Sequence, residues 1–314
     1  MSLAQRFGDA LAARVAERES QIVLGLDPDP GALWPGANGA GETPPGGPEA
    51  AAQAAAAVLG HCRSVIDATA PACVAVKLQL ARFEQLGAAG WWALEQAAAH
   101  ARALGLLVIA DGKRGDIDVS AGAYAHALID GLRTPFGEVS GLRADLTTVN
   151  PLMGVDALEP FVAAARSAGA GVLVLVRTSN PGAADVEDLR LEGGGTVWER
   201  VAQIVAGLGD PGVGESGLSD VGAVVGATEP AHLARARELM PHAVFLLPGV
   251  GAQGGRVEAL APAFAPGRGG GLVTASRSIV NAFQQDESAD PATAARAEAE
   301  RLREAAWSLS AVPA

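Results

Sequence analysis

The stretch Leu106-Leu107-Val108-Ile109-Ala110-Asp111-Gly112-Lys113-Arg114-Gly115-Asp116-Ile117-Asp118-Val119-Ser120 decides how the rest of the chain is read. Its first five residues form a continuous apolar run, of the length and kind expected for a strand buried on both faces. Side chains alternate across a strand, so Asp111 and Lys113 point the same way as it ends, and Asp116 follows on the loop. A carboxylate, an ammonium and a second carboxylate are thus delivered within six residues at the C-terminal end of a buried strand. Barrels and open α/β sheets keep their chemistry at that end.

Working outward, apolar runs of the same kind recur at 21–26, 73–77, 145–149, 171–176, 221–226, 243–247 and 271–275. Helical patterns lie between them, at 49–69, 83–104, 119–132, 155–168, 196–208 and 229–240, with a short helix expected over 254–264. An amphipathic helix over 1–20 and a long one over 291–308 flank the set. Eight strands alternating with helices predict an α/β protein of the (β/α)8 TIM barrel type. The expectation is a single domain over 1–314, with its core at about 20–285 and extra N- and C-terminal helices. A doubly wound open sheet is the runner-up. It would gather its ligand groups near one switch point, and no G-x-G-x-x-G follows the first strand. Residues 29–48 are rich in proline and glycine and read as a surface insertion, and 183–195 as irregular and acidic.

A net charge of −12 argues against nucleic acid and against an anionic membrane surface as partners. No apolar run approaches the ~20 residues of a membrane span, and the N-terminus lacks the apolar core of a signal peptide, so a soluble, cytoplasmic protein is expected. Two cysteines, Cys62 and Cys73, and five scattered histidines offer no metal-ligand spacing. Neither metal nor cofactor is expected. An anionic substrate would need a local cluster of cations.

Such a cluster is legible. Of 23 basic residues only Lys77 and Lys113 are lysines, and both close buried-strand patterns. Arginine cannot give up its proton near neutral pH, whereas lysine can serve as acid, base or Schiff-base amine. In a barrel all strand ends converge on one mouth, which would bring Asp27, Lys77, Asp111, Lys113 and Asp116 together. A structural salt-bridge network accounts for any one pair, but poorly for five such groups facing one opening. After the seventh strand, Pro248-Gly249-Val250-Gly251-Ala252-Gln253-Gly254-Gly255 offers backbone N–H groups to an anion, and a helix starting near Gly254 would add its dipole. After the eighth, Ser276-Arg277-Ser278 supplies a guanidinium, in the loops where barrels often bind phosphate. Thr178-Ser179-Asn180, after the fifth, makes turn hydrogen bonds or reads a polar heterocycle.

Taken together, Asp111-x-Lys113-x-x-Asp116-Ile117 with Ser120, Lys77 in Val-Lys-Leu-Gln before Phe83-Glu84, Val149-Asn150-Pro151, Thr178-Ser179-Asn180-Pro181-Gly182, the glycine-rich loop and Ser276-Arg277-Ser278 resemble orotidine 5′-phosphate decarboxylases, specifically their longer bacterial (type 2) subgroup. The first signature is shared with related sugar-phosphate decarboxylases, and the later ones narrow it. The resemblance implies cofactor-independent decarboxylation of orotidine 5′-phosphate to uridine 5′-phosphate, the last step of de novo UMP biosynthesis. It casts Lys113 as proton donor to C6, Asp111 as neighbour of the departing carboxylate, and Lys77 as its holder and a ribose ligand. Asp116 would complete the site of the partner in a homodimer. Asp27 would bind ribose hydroxyls and Ser179 the pyrimidine edge. Gln253 and Arg277 would bind phosphate, beside Gly249 and Gly251. Ser120 stands where many members have threonine. The stretch 183–218 matches no motif of the family.

A lysine flanked by carboxylates is held as an ammonium, which suits an acid better than a Schiff-base nucleophile. Decarboxylation therefore ranks above an aldolase reaction. Another sugar-phosphate decarboxylase of the superfamily, or a noncatalytic barrel binding a nucleoside monophosphate, are the alternatives.

Overall fold

Each apolar run contains a strand in the computed structural model, which describes residues 6–36, 49–251, 254–285 and 289–311. β1 (Ile22–Leu26), β2 (Ala75–Gln79) and β3 (Leu107–Arg114) come first. A small antiparallel hairpin, β4 (Leu132–Thr134) and β5 (Gly137–Val139), intervenes. Then follow β6 (Leu146–Val149), β7 (Gly171–Arg177), β8 (Val221–Val225), β9 (Phe245–Leu247) and β10 (Gly271–Ala275). Omitting the hairpin, the strands pair in parallel in chain order and β10 closes on β1. This is the expected TIM barrel.

The helices are α1 (Phe7–Arg18), α2 (Glu49–Thr69), α3 (Leu80–Glu84), α4 (Gly87–Ala103), α5 (Asp118–Ala125) and α6 (Val155–Ala168), then α7 (Ala183–Val186), α8 (Val197–Gly209), α9 (Pro230–Leu239), α10 (Arg277–Val280) and α11 (Pro291–Leu309). Strands buried on both faces explain the unbroken apolar runs: β1, β8 and β10 have no exposed residue. Inward side chains such as Val23, Leu146, Leu173 and Leu272 form one cluster with Phe7, Leu11 and Val15, so α1 plugs the N-terminal end of the barrel. Outward ones pack under the surrounding helices in a second, larger cluster. With the bottom filled by apolar side chains, the C-terminal mouth is left for chemistry.

Four expectations are corrected. The helix read over 83–104 is two, because Gly87 at φ 64° breaks it, and Gly90 lets the pieces close up against the Phe83 carbonyl. The helix read over 119–132 ends in a wider π turn at His126–Asp130 and stops at Gly131, φ 77°, beyond which Thr134-Pro135-Phe136-Gly137 turns the β4–β5 hairpin. Over 254–264 there is no α-helix among the described residues, only 3-10 turns at Val257–Ala259 and Ala261–Phe264, where Pro262 has no N–H to donate. β2 runs two residues past Lys77. Of the 29–48 insertion, 37–48 lie outside the described residues. Its start is anchored, with Trp34 buried and its indole N–H donating to the Val280 carbonyl. No described helix is long and apolar enough to cross a membrane.

Candidate active site

At the C-terminal mouth opens a cavity of about 670 Å³ whose lining includes Asp27, Lys77, Asp111, Lys113, Ser179 and Arg277. The strand alternation that the sequence implied holds for β3: Asp111 and Lys113 both face inward, and a Cβ built on Gly112 between them would lie 2.9 Å from the Leu80 side chain. Beyond Ala110 the β3–β6 register shifts, and Lys113 adopts a left-handed backbone, φ 46°. A non-glycine residue pays for such a conformation, and the site supplies an anchor: the Lys113 N–H donates to Thr148 Oγ1 at 2.9 Å.

Asp111 is the hub. Lys77 Nζ donates to its Oδ2 at 2.8 Å and Gln79 Nε2 to the same oxygen at 3.3 Å. Lys113 Nζ donates to Oδ1 at 2.6 Å and the Thr148 hydroxyl at 2.9 Å. Each oxygen accepts twice, which a buried carboxylate requires to offset its lost hydration. Burial alone would raise the Asp111 pKa, but the charges of Lys77 and Lys113 dominate and bring it from an ordinary 3.8 down to about 2. Burial likewise opposes the Lys77 charge, and Asp111 at 2.8 Å with Asp27 at 3.6 Å more than compensates, so its pKa is raised. The two lysines are not equivalent. The Lys77 side chain is 8% exposed and paired with Asp111 and Asp27, whereas that of Lys113 is 44% exposed and reaches into the open mouth.

The opposite wall is different in kind. Leu175, Val224 and Leu246 present apolar side chains, and above them lie the loops after β7, β9 and β10. Gly249 lines the cavity and Arg277 stands exposed at the start of α10. Gly251 is not among the lining residues; its N–H donates to the Gly255 carbonyl, and Gly255 donates to Gly249, so the loop satisfies part of its own backbone. With no helix starting at Gly254, the expected dipole contribution is absent. Gln253 lies outside the described residues.

Asp116 and Ser120 do not line this cavity. β3 ends at Arg114, whose carbonyl accepts from Asn150 N, and Gly115 packs on Asn150. Asp116 Oδ1 accepts from Ile117 N, and Ser120 is exposed on α5. The expectation that five charged groups of one chain crowd together is thereby corrected to four. Sequence reasoning passed over Thr148 and Gln79. Gln79 was within reach of it, two residues after Lys77 on the same strand and so facing the same way. Among the described residues no group of three or more His, Cys, Asp and Glu is arranged to hold a metal ion. Burial pushes the Cys62 and Cys73 thiols up to about 12 and His61 down to about 4, which leaves all three uncharged near neutrality.

Residues 20–297 match the family model of the orotidine 5′-phosphate decarboxylase / HUMPS family. The chain is 42% identical over 274 residues to the orotidine 5′-phosphate decarboxylase of Deinococcus radiodurans, covering 87% of this chain and 88% of that protein. It is 40% identical over 289 residues to the enzyme of the same name from Haloarcula marismortui, covering 90% and 92%. Among solved structures, the OMP decarboxylase of Leishmania donovani superposes with a TM-score of 0.69 at 32% identity, covering 96% of this chain and 99% of that one.

Proposed function

The chain belongs to the orotidine 5′-phosphate decarboxylase / HUMPS family, and from that premise we propose that Lys113 is the acid that quenches the carbanion formed when its substrate loses CO2. The reaction is the decarboxylation of orotidine 5′-phosphate to uridine 5′-phosphate in pyrimidine biosynthesis, a carboxy-lyase activity. Cleavage of the C6–carboxylate bond leaves its electron pair on C6. CO2 departs, C6 takes a proton from Lys113 Nζ, and water returns the proton to the amine. An ammonium aimed at the developing charge from a preorganised, partly buried cluster lowers the barrier before any proton moves. One observation carries this reading: a carboxylate fully satisfied between two lysines that both line the cavity, of which Lys113 is the exposed one, at 44% against 8% for Lys77.

Asp111 holds Lys113 in place and would stand beside the substrate carboxylate, while Lys77 fixes Asp111 and faces the ribose with Asp27. Arg277 and the Gly249 backbone would receive the phosphate, and Ser179 the pyrimidine edge. Binding energy from the phosphate can then be used to hold the reacting ring against this charged wall. The purified protein is expected to convert orotidine monophosphate with loss of its near-ultraviolet absorbance. Tight uridine monophosphate binding without turnover would instead support a noncatalytic nucleotide-binding barrel.

The working unit of this proposal is a homodimer in which Asp116 and Ser120 serve the partner's site. Both lie outside their own chain's cavity lining, and most exposed large apolar side chains among the described residues fall between Ile117 and Val155. An exposed set of that kind marks an interface. Mixing an Asp116→Ala chain with a Lys113→Ala chain should restore roughly a quarter of the wild-type activity, because half of the dimers are hybrids with one intact site each. No recovery on mixing would sink the shared-site arrangement.

A further inference from the structure

The acidic segment that follows Thr178-Ser179-Asn180 belongs to no motif singled out in the sequence, yet it grips that triplet. Glu187 Oε2 accepts from the Thr178 N–H at 2.8 Å and its Oε1 from the Thr178 hydroxyl at 2.9 Å. The same hydroxyl lies 2.7 Å from Asn180 Oδ1. Next door, Arg177 Nε and Nη2 each donate at 2.9 Å to the two oxygens of Asp188, a fork on fork. Arg177 Nη1 also donates to the Thr178 carbonyl at 2.5 Å. Both polar groups of the Thr178 backbone are therefore held by side chains, one of them from nine residues' distance along the loop.

Both sides of this clamp are anchored. The Glu187 carbonyl accepts from Trp198 N at 2.9 Å, in the first turn of α8. That turn is fixed by a capping box, in which Thr196 and Glu199 satisfy each other's backbone N–H. From below, Gly226 donates its N–H to the Arg177 carbonyl at 2.8 Å, and a Cβ built on Gly226 would lie 3.0 Å from the Cα and Cβ of Ser179. Ser179 thus rests on the Gly226 backbone beneath it, and its neighbour Thr178 hangs on the Glu187 carboxylate. A loop left to solvent would sample many conformations, and a ligand group on it would lose binding energy to ordering.

We infer that Glu187 is a positioning residue, which presets the Thr178–Ser179 loop so that Ser179 meets the base of the bound nucleotide. The inference rests on the reading of Ser179 as the group that faces the pyrimidine. It also gives the acidic segment a role in substrate discrimination, because a loop held in register distinguishes a nucleotide from a bare sugar phosphate. Glu187 itself is not among the cavity-lining residues.

Two probes separate this from general structural support: uridine monophosphate, and ribose 5-phosphate, which carries the same sugar phosphate without the base. Calorimetric titration of Glu187→Ala should show uridine monophosphate binding weakened about tenfold, the size of a lost charged hydrogen bond. Ribose 5-phosphate binding should stay within about twofold, since its contacts lie across the mouth. Glu187→Gln retains an acceptor for the Thr178 N–H and should recover most of the loss. Equal weakening of both probes, or of neither, overturns the inference. If Glu187→Ala folds poorly, Thr178→Val removes one bond of the clamp and leaves the acidic segment intact, and the same split or its absence decides. A wild-type protein that binds the two probes equally well would instead remove the base-facing role of Ser179, and this inference with it.

Discussion

The two halves of the barrel mouth are built on opposite plans. Along β1 to β3 the polar groups sit within or directly at the ends of strands, and their charges satisfy one another: Lys77, Asp111 and Lys113 lie within 2.8 Å of a partner. Along β7 to β10 the strands contribute mainly apolar side chains, Leu175, Val224 and Leu246, with Thr274 of β10 the polar exception, and the other polar groups ride on loops above them. Strand-borne groups are fixed by the barrel itself, so they can hold the sub-ångström placement that bond breaking requires. Loop-borne groups need separate supports, such as Glu187 under Thr178, and suit the recognition of remote parts of a substrate. The difference assigns chemistry to one half and binding to the other.

Substitutions can break that division. On the charged half, Asp111→Asn should lower kcat by roughly 10³-fold while KM moves little, because it removes preorganised charge and leaves two ammonium groups adjacent. On the loop half, Arg277→Ala should do the reverse, raising KM by roughly 30- to 100-fold through the loss of charged hydrogen bonds to phosphate. Steady-state kinetics on both variants checks the pair. A kcat-dominated loss in Arg277→Ala would dissolve the distinction. Within the charged half, Thr148→Val should lower kcat about tenfold by releasing both the Lys113 backbone and the Asp111 carboxylate, with Thr148→Ser restoring it. An unchanged kcat in the valine variant would mean that the strained Lys113 backbone needs no such anchor.

The charged half also shows in stability. Asp111 titrates at about 2 in the folded chain against an ordinary 3.8. A depressed carboxylate stabilises the fold above its unfolded pKa and loses that contribution as the pH falls through the folded value. On the order of 2 kcal/mol should therefore vanish between about pH 4 and pH 2, and the gap between wild type and Asp111→Asn in urea unfolding should narrow over that interval. A gap that stays constant with pH contradicts the ion-paired Asp111.

The same division governed what could be read in the sequence. Strand-borne groups were legible, since an apolar run followed by Asp111 and Lys113 needs only the two-residue period to place both side chains. Lys77 and Asp27 followed from the convergence of barrel strands. From the strand ends alone Asp116 was grouped with the other four charges, yet it does not line the cavity, because once a strand ends nothing local fixes the direction of the next residues. Thr148 was hidden among threonines that β-propensity alone explains, and its neighbour Thr147 only donates to the Ala110 carbonyl. Glu187 escaped because its partnership with Thr178 spans a turn without periodicity. The glycine-rich loop was legible only in part: Gly249 lines the cavity, whereas the Gly251 and Gly255 amides are spent on the loop itself, which glycine spacing alone does not reveal.

The proton donor is the centre of the account, and Lys113→Ala tests it most directly when turnover of orotidine monophosphate and binding of uridine monophosphate are measured on the same preparation. The expected result is a fall in kcat of roughly 10⁴-fold or more, with nucleotide affinity within about tenfold of wild type, and no recovery in Lys113→Arg. Turnover in Lys113→Ala within tenfold of wild type would contradict it.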